Sequence, residues 1–351
     1  MNSNRLLIEK LEANSISWED FSNVLKLNSN DLDYLFALTQ KITRINFNNV
    51  LKIYNPTNRF PAISITGSNC ALECEHCNKK YLKGMKQAKT NEELETFLIN
   101  LSNKNGVGAL ISGGSMADGS VPLLKFLNTI KKVKRETNLI INTHTGLLNE
   151  ETAKELAEAN VDIVSFDINM DEEVVRNIYH LDIELDEYKR AIETLKKYNL
   201  NIVPHICIGL HYGKIHKEIE SIKFIKDIKI DPSLIVIIIL IPPKDSKVKF
   251  ETPKPEDIAK VISIIRVAFP ETEISLGCMR PRGKIKNQIE KAAIKAGVNR
   301  IEIPSNETLK WLKRYNPKIQ LKFFSACCAI PKKYEKLAES ENSDIKRYLN
   351  V

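Results

Sequence analysis

The sequence predicts an α/β fold, a (β/α)8 TIM-type barrel carrying an N-terminal helical extension and a C-terminal segment. Three observations point there. Beyond Pro56 and Pro61, short β-branched runs alternate with amphipathic stretches of 10 to 15 residues. The runs number eight, enough for right-handed βαβ units to close a barrel. The 351 residues, 43% of them hydrophobic, contain no long Gly/Ser linker, fixed-period repeat or low-complexity tract, so one continuous folded unit is expected.

Taken in order, Leu7 and Leu11, then Leu32, Leu35 and Leu38, recur at helical spacing over 6–46, with Ser17 and Asn30 placed as N-caps. Residues 1–58 therefore read as a helical extension. Strands are expected at 62–66, 107–112, 139–143, 161–167, 201–208, 234–241, 273–276 and 300–303. Helices separate them at 91–101, 123–134, 187–198, 255–269 and 286–296. The barrel is thus assigned to 59–304, and 305–351 to a C-terminal extension expected to fold across its mouth.

Residues 234–241 (LIVIIILI) are the most apolar run, yet far shorter than the roughly 20 residues of a spanning helix. A buried strand is expected, and no membrane partner. Residues 1–10 are polar and charged, without the apolar core of a signal peptide, which predicts a cytoplasmic protein. Seven cysteines, an odd number, in such a chain favour metal binding over a disulfide framework. The net charge of +8 is spread among Lys and Arg interleaved with Asp and Glu, so nucleic acid is not an expected partner.

Cys70-Ala-Leu-Glu-Cys74-Glu-His76-Cys77 follows the first predicted barrel strand, placing three soft ligands on one loop at the end where barrels do their chemistry. A [4Fe-4S] cube needs four ligands, and the next cysteine is Cys207. One iron would be left for an exogenous group. A structural zinc site completed by His76 or a distant cysteine is the alternative reading of the same three thiolates.

This motif and its place after strand one resemble the radical S-adenosylmethionine (SAM) superfamily. The resemblance implies that SAM chelates the open iron and that its reductive cleavage yields a 5'-deoxyadenosyl radical. It also implies cofactor contacts from Gly113, Gly114 and Ser115 at the end of strand two, and from Asp167 and Asn169 at the end of strand four. Asp167 and Asn169 share side-chain parity, while Asn169 also suits a helix cap beginning at Asp171. His76 and His144 join these as cofactor-side candidates.

Four cysteines remain. Cys207 and Cys278 end predicted strands, with His205 and Arg280 on the same inward parity, and Cys327 and Cys328 lie together in the C-terminal segment. They suffice for a second, auxiliary iron-sulfur cluster, with His144, His205 or Ser325 as possible non-thiolate ligands. Each thiol alone would also pass as a small core residue.

The Ser64-Ile-Thr-Gly-Ser-Asn-Cys70 entry, Asn142-Thr-His144, Cys207 and Arg280 resemble the biotin synthase and lipoyl synthase branch, which inserts sulfur into unactivated C–H bonds. The chain departs from biotin synthases in having His144 where they carry a strand-three cysteine, no cysteine in Leu110-Ile-Ser-Gly-Gly, and extra thiols at Cys278, Cys327 and Cys328. It departs from the usual lipoyl synthase in having no cysteine before Cys70. Pro204-His-Ile-Cys-Ile-Gly, Gly277-Cys-Met-Arg-Pro-Arg-Gly and the Cys327-Cys328 pair are similar to the two-protein lipoyl synthase of archaea and some bacteria, its second component above all.

That resemblance implies sulfur insertion at C6 or C8 of an octanoyl chain, with the second cluster consumed as sulfur donor and Arg280 beside it. The implied partners are an octanoylated lipoyl carrier protein or octanoyl-lysyl peptide, a paralogous component, and an electron donor such as ferredoxin. Open alternatives are biotin-synthase-like insertion into another substrate, a radical SAM methylase, mutase or lyase, and a non-enzymatic iron-sulfur carrier.

Overall fold

Three helices lead the chain, α1 (Ser3–Glu12), α2 (Trp18–Val24) and α3 (Ser29–Phe47). Ser17 caps α2 in a reciprocal capping box with Asp20. Helix α3 begins earlier than the sequence suggested: extended Asn28 is the cap, accepting from the amides of Asn30 and Asp31, and Asn30 is already inside the first turn. The computed structural model describes residues 3–13 and 15–340. Residues 1, 2 and 14 of the proposed N-terminal extension and 341–351 of the C-terminal one lie outside the described residues.

The strands are β1 (Val50–Tyr54), β2 (Ala62–Ser64), β3 (Lys86–Gln87), β4 (Gly108–Ser112), β5 (Ile140–His144), β6 (Ile163–Asp167), β7 (Ile202–Ile208), β8 (Leu234–Ile239), β9 (Glu273–Leu276), β10 (Arg300–Glu302) and β11 (Gln320–Phe324). Helices α4 (Asn91–Asn103), α5 (Leu127–Glu136), α6 (Glu150–Glu158), α7 (Asp186–Lys197), α8 (Glu218–Asp227), α9 (Pro255–Ala268), α10 (Lys284–Lys295), α11 (Asn306–Tyr315) and α12 (Glu335–Ala338) complete the chain. Every predicted run is a strand. Among the described residues no helix is long and apolar enough to cross a membrane.

Among the described residues these strands pair with one another in parallel, in the order β11-β1-β10-β9-β8-β7-β6-β5-β4-β2-β3. This is the curled sheet of a TIM-type barrel, open between its end strands β3 and β11. The helical extension expected over 1–58 therefore gives way at β1, which inserts between β10 and β11.

Two apolar layers hold the sheet. On its outer face Ile111, Ile141, Val164, Ile206, Ile237 and Ile274 pack on helix residues such as Leu98, Ile130, Leu195 and Ile262. Inside, Val107, Ile140, Ile163, Val203 and Leu234, from the starts of five strands, form a separate cluster with Phe324, Ala326, Cys328, Ala329 and Ile330. The C-terminal segment thus enters the barrel. The Tyr334 hydroxyl donates to Asp162, one residue before β6, at 3.0 Å. Closure of the mouth by this segment was the expectation; it instead plugs the opposite end, because its Ala-rich apolar stretch is what the strand-start isoleucines and valines can bury.

Candidate active site

Alternation along β5, β6 and β7 turns every second side chain inward, and those series change character toward the C-terminal edge. They run Ile140, Asn142, His144; Ile163, Ser165, Asp167; and Val203, His205, Cys207. Ser165 donates to Asn142 at 3.0 Å, which satisfies the middle tier. The mouth therefore carries the ionisable groups.

The cysteine loop leaves β2 and is pinned to the end of β4. The amide of Ile65 donates to Ser112 (2.8 Å), that of Gly114 to the Thr66 hydroxyl (2.7 Å), that of Ser115 to Cys70 Sγ (3.3 Å), and that of Ala71 to the Ser115 carbonyl (2.8 Å). A Cβ on Gly114 would lie 2.0 Å from the Asn69 carbonyl oxygen and 2.5 Å from Cys70 Cβ, so only glycine allows this approach. Gly113, Gly114 and Ser115 thus first of all position Cys70. The far side of the loop is tied to the connection after β6, where the Glu75 amide donates to Ile178 (2.8 Å) and His180 Nε2 sits 3.2 Å from Glu75.

Cys70, Cys74 and Cys77 are free and half-buried. Burial, then the neighbouring Cys77 and Cys70, pushes the Cys74 thiol up to about 12, so the three thiols of the loop act on one another. Such a set favours a cation that takes thiolates. His76 does not complete it with a charged ring: burial, then Lys80, lowers it to about 4, and its Nδ1 is buried without a partner. It tilts against Tyr179, centroids 5.4 Å apart.

His144, Asp167 and His205 meet at the mouth, with His144 Nε2 3.4 Å from Asp167 Oδ2 and the imidazoles 5.5 Å apart. Asp167 is half exposed yet surrounded by protein, as expected of a group facing an internal cavity. Burial opposes its charge, but His144 outweighs burial and holds it at about 2. His205 is lowered to about 4 by burial and then by His144, and its Nδ1 turns to the Val203 carbonyl at 3.0 Å. Asn169 caps the next segment, its Oδ1 accepting from the Asp171 amide at 3.2 Å, while its buried Nδ2 has no partner. Three thiols on one loop, a glycine cradle and the unpartnered Nδ1 of His76 and Nδ2 of Asn169 suit a cluster bearing a polar ligand.

The His144–Asp167 pair sets a pH test. Burial disfavours the His144 cation, but Asp167 outweighs it and raises the ring above 6.5. The pairing therefore stabilises the fold fully below 6.5, and this contribution is lost as pH rises through the raised His144 value. In Asp167→Asn burial acts on the ring unopposed, and the His144 midpoint should fall below 6.5. Imidazole NMR titration of the cluster-free protein reads this directly; an unmoved midpoint would reject the pair.

A second thiol group forms where β9 and β10 end. Glu302, Cys327 and Cys328 bring ligand atoms within 4.8 Å of one another. The Cys328 amide donates to Glu302 Oε2 at 3.3 Å. Cys278 joins them: Glu302, then burial, then Cys327 raise its thiol. Cys327 and Cys328 therefore both approach the site, where one of the pair was expected to turn away. Glu302 went unnoticed in the sequence, although an acid in Arg300-Ile-Glu-Ile at a strand end is a signal of an inward polar group.

Cys207 lies apart, packed with Tyr179, Leu210 and Leu240, and the charges acting on it are Asp167 and Glu218. Arg280, expected to face the cluster, does not. Its guanidinium is 2% exposed and engages Glu290 (2.6 Å) and the carbonyls of Gly277 (2.6 Å), Glu302 (2.8 Å) and Ile303 (3.0 Å). A buried cation must spend its donors this way, so Arg280 positions the Cys278 and Glu302 backbones. Arg282 is exposed, and Ser325 bonds Ser340.

Residues 64–228 match the family model described as the radical SAM superfamily. The biotin synthase of Buchnera aphidicola (subsp. Acyrthosiphon pisum, strain APS) is 24% identical over 251 residues, covering 68% of this chain and 70% of that protein. Among solved structures, the FeFe-hydrogenase maturase HydG from Carboxydothermus hydrogenoformans superposes with a TM-score of 0.66 at 16% identity, covering 86% of this chain and 70% of the other. Methylornithine synthase (PylB) gives 0.61 at 16% identity over 98% of this chain and 100% of the other. Both structural likenesses show the barrel. The family match takes in the Cys70-Cys74-Cys77 loop and the Gly113-Gly114 cradle that the geometry brings together, so over residues 64–228 the chain is similar to the radical SAM superfamily.

Proposed function

We propose that this enzyme inserts sulfur into an unactivated C–H bond of a protein-bound octanoyl chain, as one component of a two-protein lipoyl synthase. The observation that carries the reading is the second thiol group, Cys278, Cys327 and Cys328 with Glu302, gathered where β9 and β10 end. Its cluster would be the sulfur-donating substrate. Tyr81 feels thiols of both groups: burial raises its hydroxyl first, and then Cys77, Cys207 and Cys278 act on it together. The likeness to biotin synthases over 68% of this chain supports sulfur chemistry.

When bound at Cys70, Cys74 and Cys77, the [4Fe-4S] cluster and SAM supply a 5'-deoxyadenosyl radical for hydrogen abstraction. The residues around them orient and exclude. Asp167, ionised throughout the physiological range, accepts hydrogen bonds, which suits ribose hydroxyls, and the unpaired Asn169 Nδ2 donates beside it. Arg280 and Glu290 hold the Cys278 turn rigid. The partners of this reading are an octanoylated carrier domain or octanoyl-lysyl peptide, the paralogous component and a ferredoxin-type donor, in the cytoplasm.

Iron and sulfide analysis with Mössbauer spectra tests the second site. A Cys70/Cys74/Cys77 triple-Ala variant should keep one of two clusters, and Glu302→Gln in that background should retain less than about a tenth of its iron if the carboxylate is a ligand. Absence of any cluster in the triple variant removes the second site. Anaerobic incubation of the wild type with SAM, reductant and an octanoyl-lysyl peptide should add sulfur to the peptide while sulfide leaves the protein. Formation of 5'-deoxyadenosine with no sulfur transferred would favour a methylase, mutase or lyase instead.

A further inference from the structure

A separate group of side chains sits on the rim, on the connections after β6 and β7. His211 Nε2 lies 2.9 Å from Glu173 Oε2, and the His211 and His216 rings stack with centroids 4.0 Å apart. One ring nitrogen of each histidine and a Glu173 oxygen fall within 4.8 Å of one another. All three are reachable from solvent.

The loop that presents the histidines is built to hold them still. Buried Glu218 clamps both of its ends, accepting from the Gly209 amide at 2.8 Å and the His216 amide at 2.7 Å. Between them Gly213 has φ 92°, and a Cβ there would lie 2.1 Å from the Glu251 carbonyl oxygen. His216 Nδ1 lies 2.7 Å from Asp171 Oδ2, and Asp171 is only 4% exposed. The other oxygen of Asp171 accepts from the amides of Glu173 (3.1 Å) and Val174 (3.4 Å), so one buried carboxylate orients both His216 and the backbone of Glu173. A carboxylate on Nδ1 fixes the imidazole tautomer that leaves Nε2 as a lone-pair donor, the arrangement by which proteins orient metal-binding histidines. The nearby cation Lys217 turns away to Glu220 at 3.0 Å.

We propose that His211, His216 and Glu173 form a binding site for one divalent first-row transition ion such as Zn2+, with Asp171 as the residue that orients His216. Two imidazoles and a carboxylate are a borderline donor set suited to such ions, and three protein ligands leave a position for water. Bound metal would clasp the connection after β6 to the one after β7, beside Asn169 and Cys207, at the edge of the mouth. The site is independent of the proposed sulfur chemistry.

Equilibrium dialysis of the iron-sulfur-loaded protein against buffered Zn2+ tests it. Wild type should retain one zinc per chain more than His211→Ala and His216→Ala, whose iron content and circular dichroism serve as the folding control. Asp171→Asn, which keeps the backbone hydrogen bonds, should weaken zinc binding by about 10–100-fold. Zinc X-ray absorption should show only nitrogen and oxygen ligands, with Zn–N near 2.0–2.1 Å. Equal zinc in wild type and both histidine variants, or a Zn–S shell near 2.3 Å from the cysteines, would overturn the site.

Discussion

Replacing Cys74 by Ala is expected to cut reductive SAM cleavage by at least about a hundredfold, since even residues that merely orient metal ligands cost 10–100-fold when lost. Burial first, and then Cys77 and Cys70, push the Cys74 thiol up to about 12. Its loss leaves two thiolates, too few to hold a cube whose fourth position is reserved for a ligand. The loop itself should survive, since beyond the Cys74 Sγ contact to the Tyr179 carbonyl at 3.6 Å it is anchored through Thr66, Gly114, Ser115 and Glu75. The comparison is Cys328→Ala, which should keep SAM cleavage within a few-fold and lose sulfur transfer. Quantifying 5'-deoxyadenosine under anaerobic reduction separates the two. Retention of SAM cleavage by Cys74→Ala would contradict the assignment of the loop.

The same chemistry explains what the sequence could and could not disclose. The three cysteines were legible because their ligand spacing is local, and the eight strands because each is a β-branched run between helices. Strand β1 was not: Val50–Tyr54 follows Asn48-Asn49, contains Lys52, and becomes a strand by pairing with β10 and β11, some 250 residues away. Glu302 was hidden by a shorter but still tertiary dependence, since its role appears only once Cys328, 26 residues on, has entered the barrel. Arg280 shows the converse. Strand parity placed it near the site correctly, but parity says nothing about partners, and Glu290, ten residues on, claims its guanidinium.

Arg300→Met should cost about 3–5 kcal/mol of stability, because it leaves buried carboxylates short of a partner. The Arg300 side chain is fully buried at the start of β10 and ion-pairs with both Glu273 and Glu335, the latter at 2.6 Å. It also donates to the Ile330 carbonyl at 2.6 Å and lies 5.1 Å from the Tyr54 ring centroid. Lys52 reaches Glu273 (2.6 Å) and Glu335 (2.7 Å) but cannot replace a planar fork that grips two carboxylates and a carbonyl. The network joins the starts of β9 and β10 to the segment that carries Cys327 and Cys328 upward into the barrel. Its loss should therefore lower the melting temperature by about 10 °C and release the C-terminal plug. Cys327 and Cys328 would then withdraw from Glu302 and Cys278, while Cys70, Cys74 and Cys77, anchored to β2 and β4, would not move. Calorimetry together with iron analysis checks both halves. The variant should lose the second cluster selectively and keep the first, whereas an unchanged melting temperature, or equal loss from both sites, would show that Arg300 does not tie the plug to the barrel.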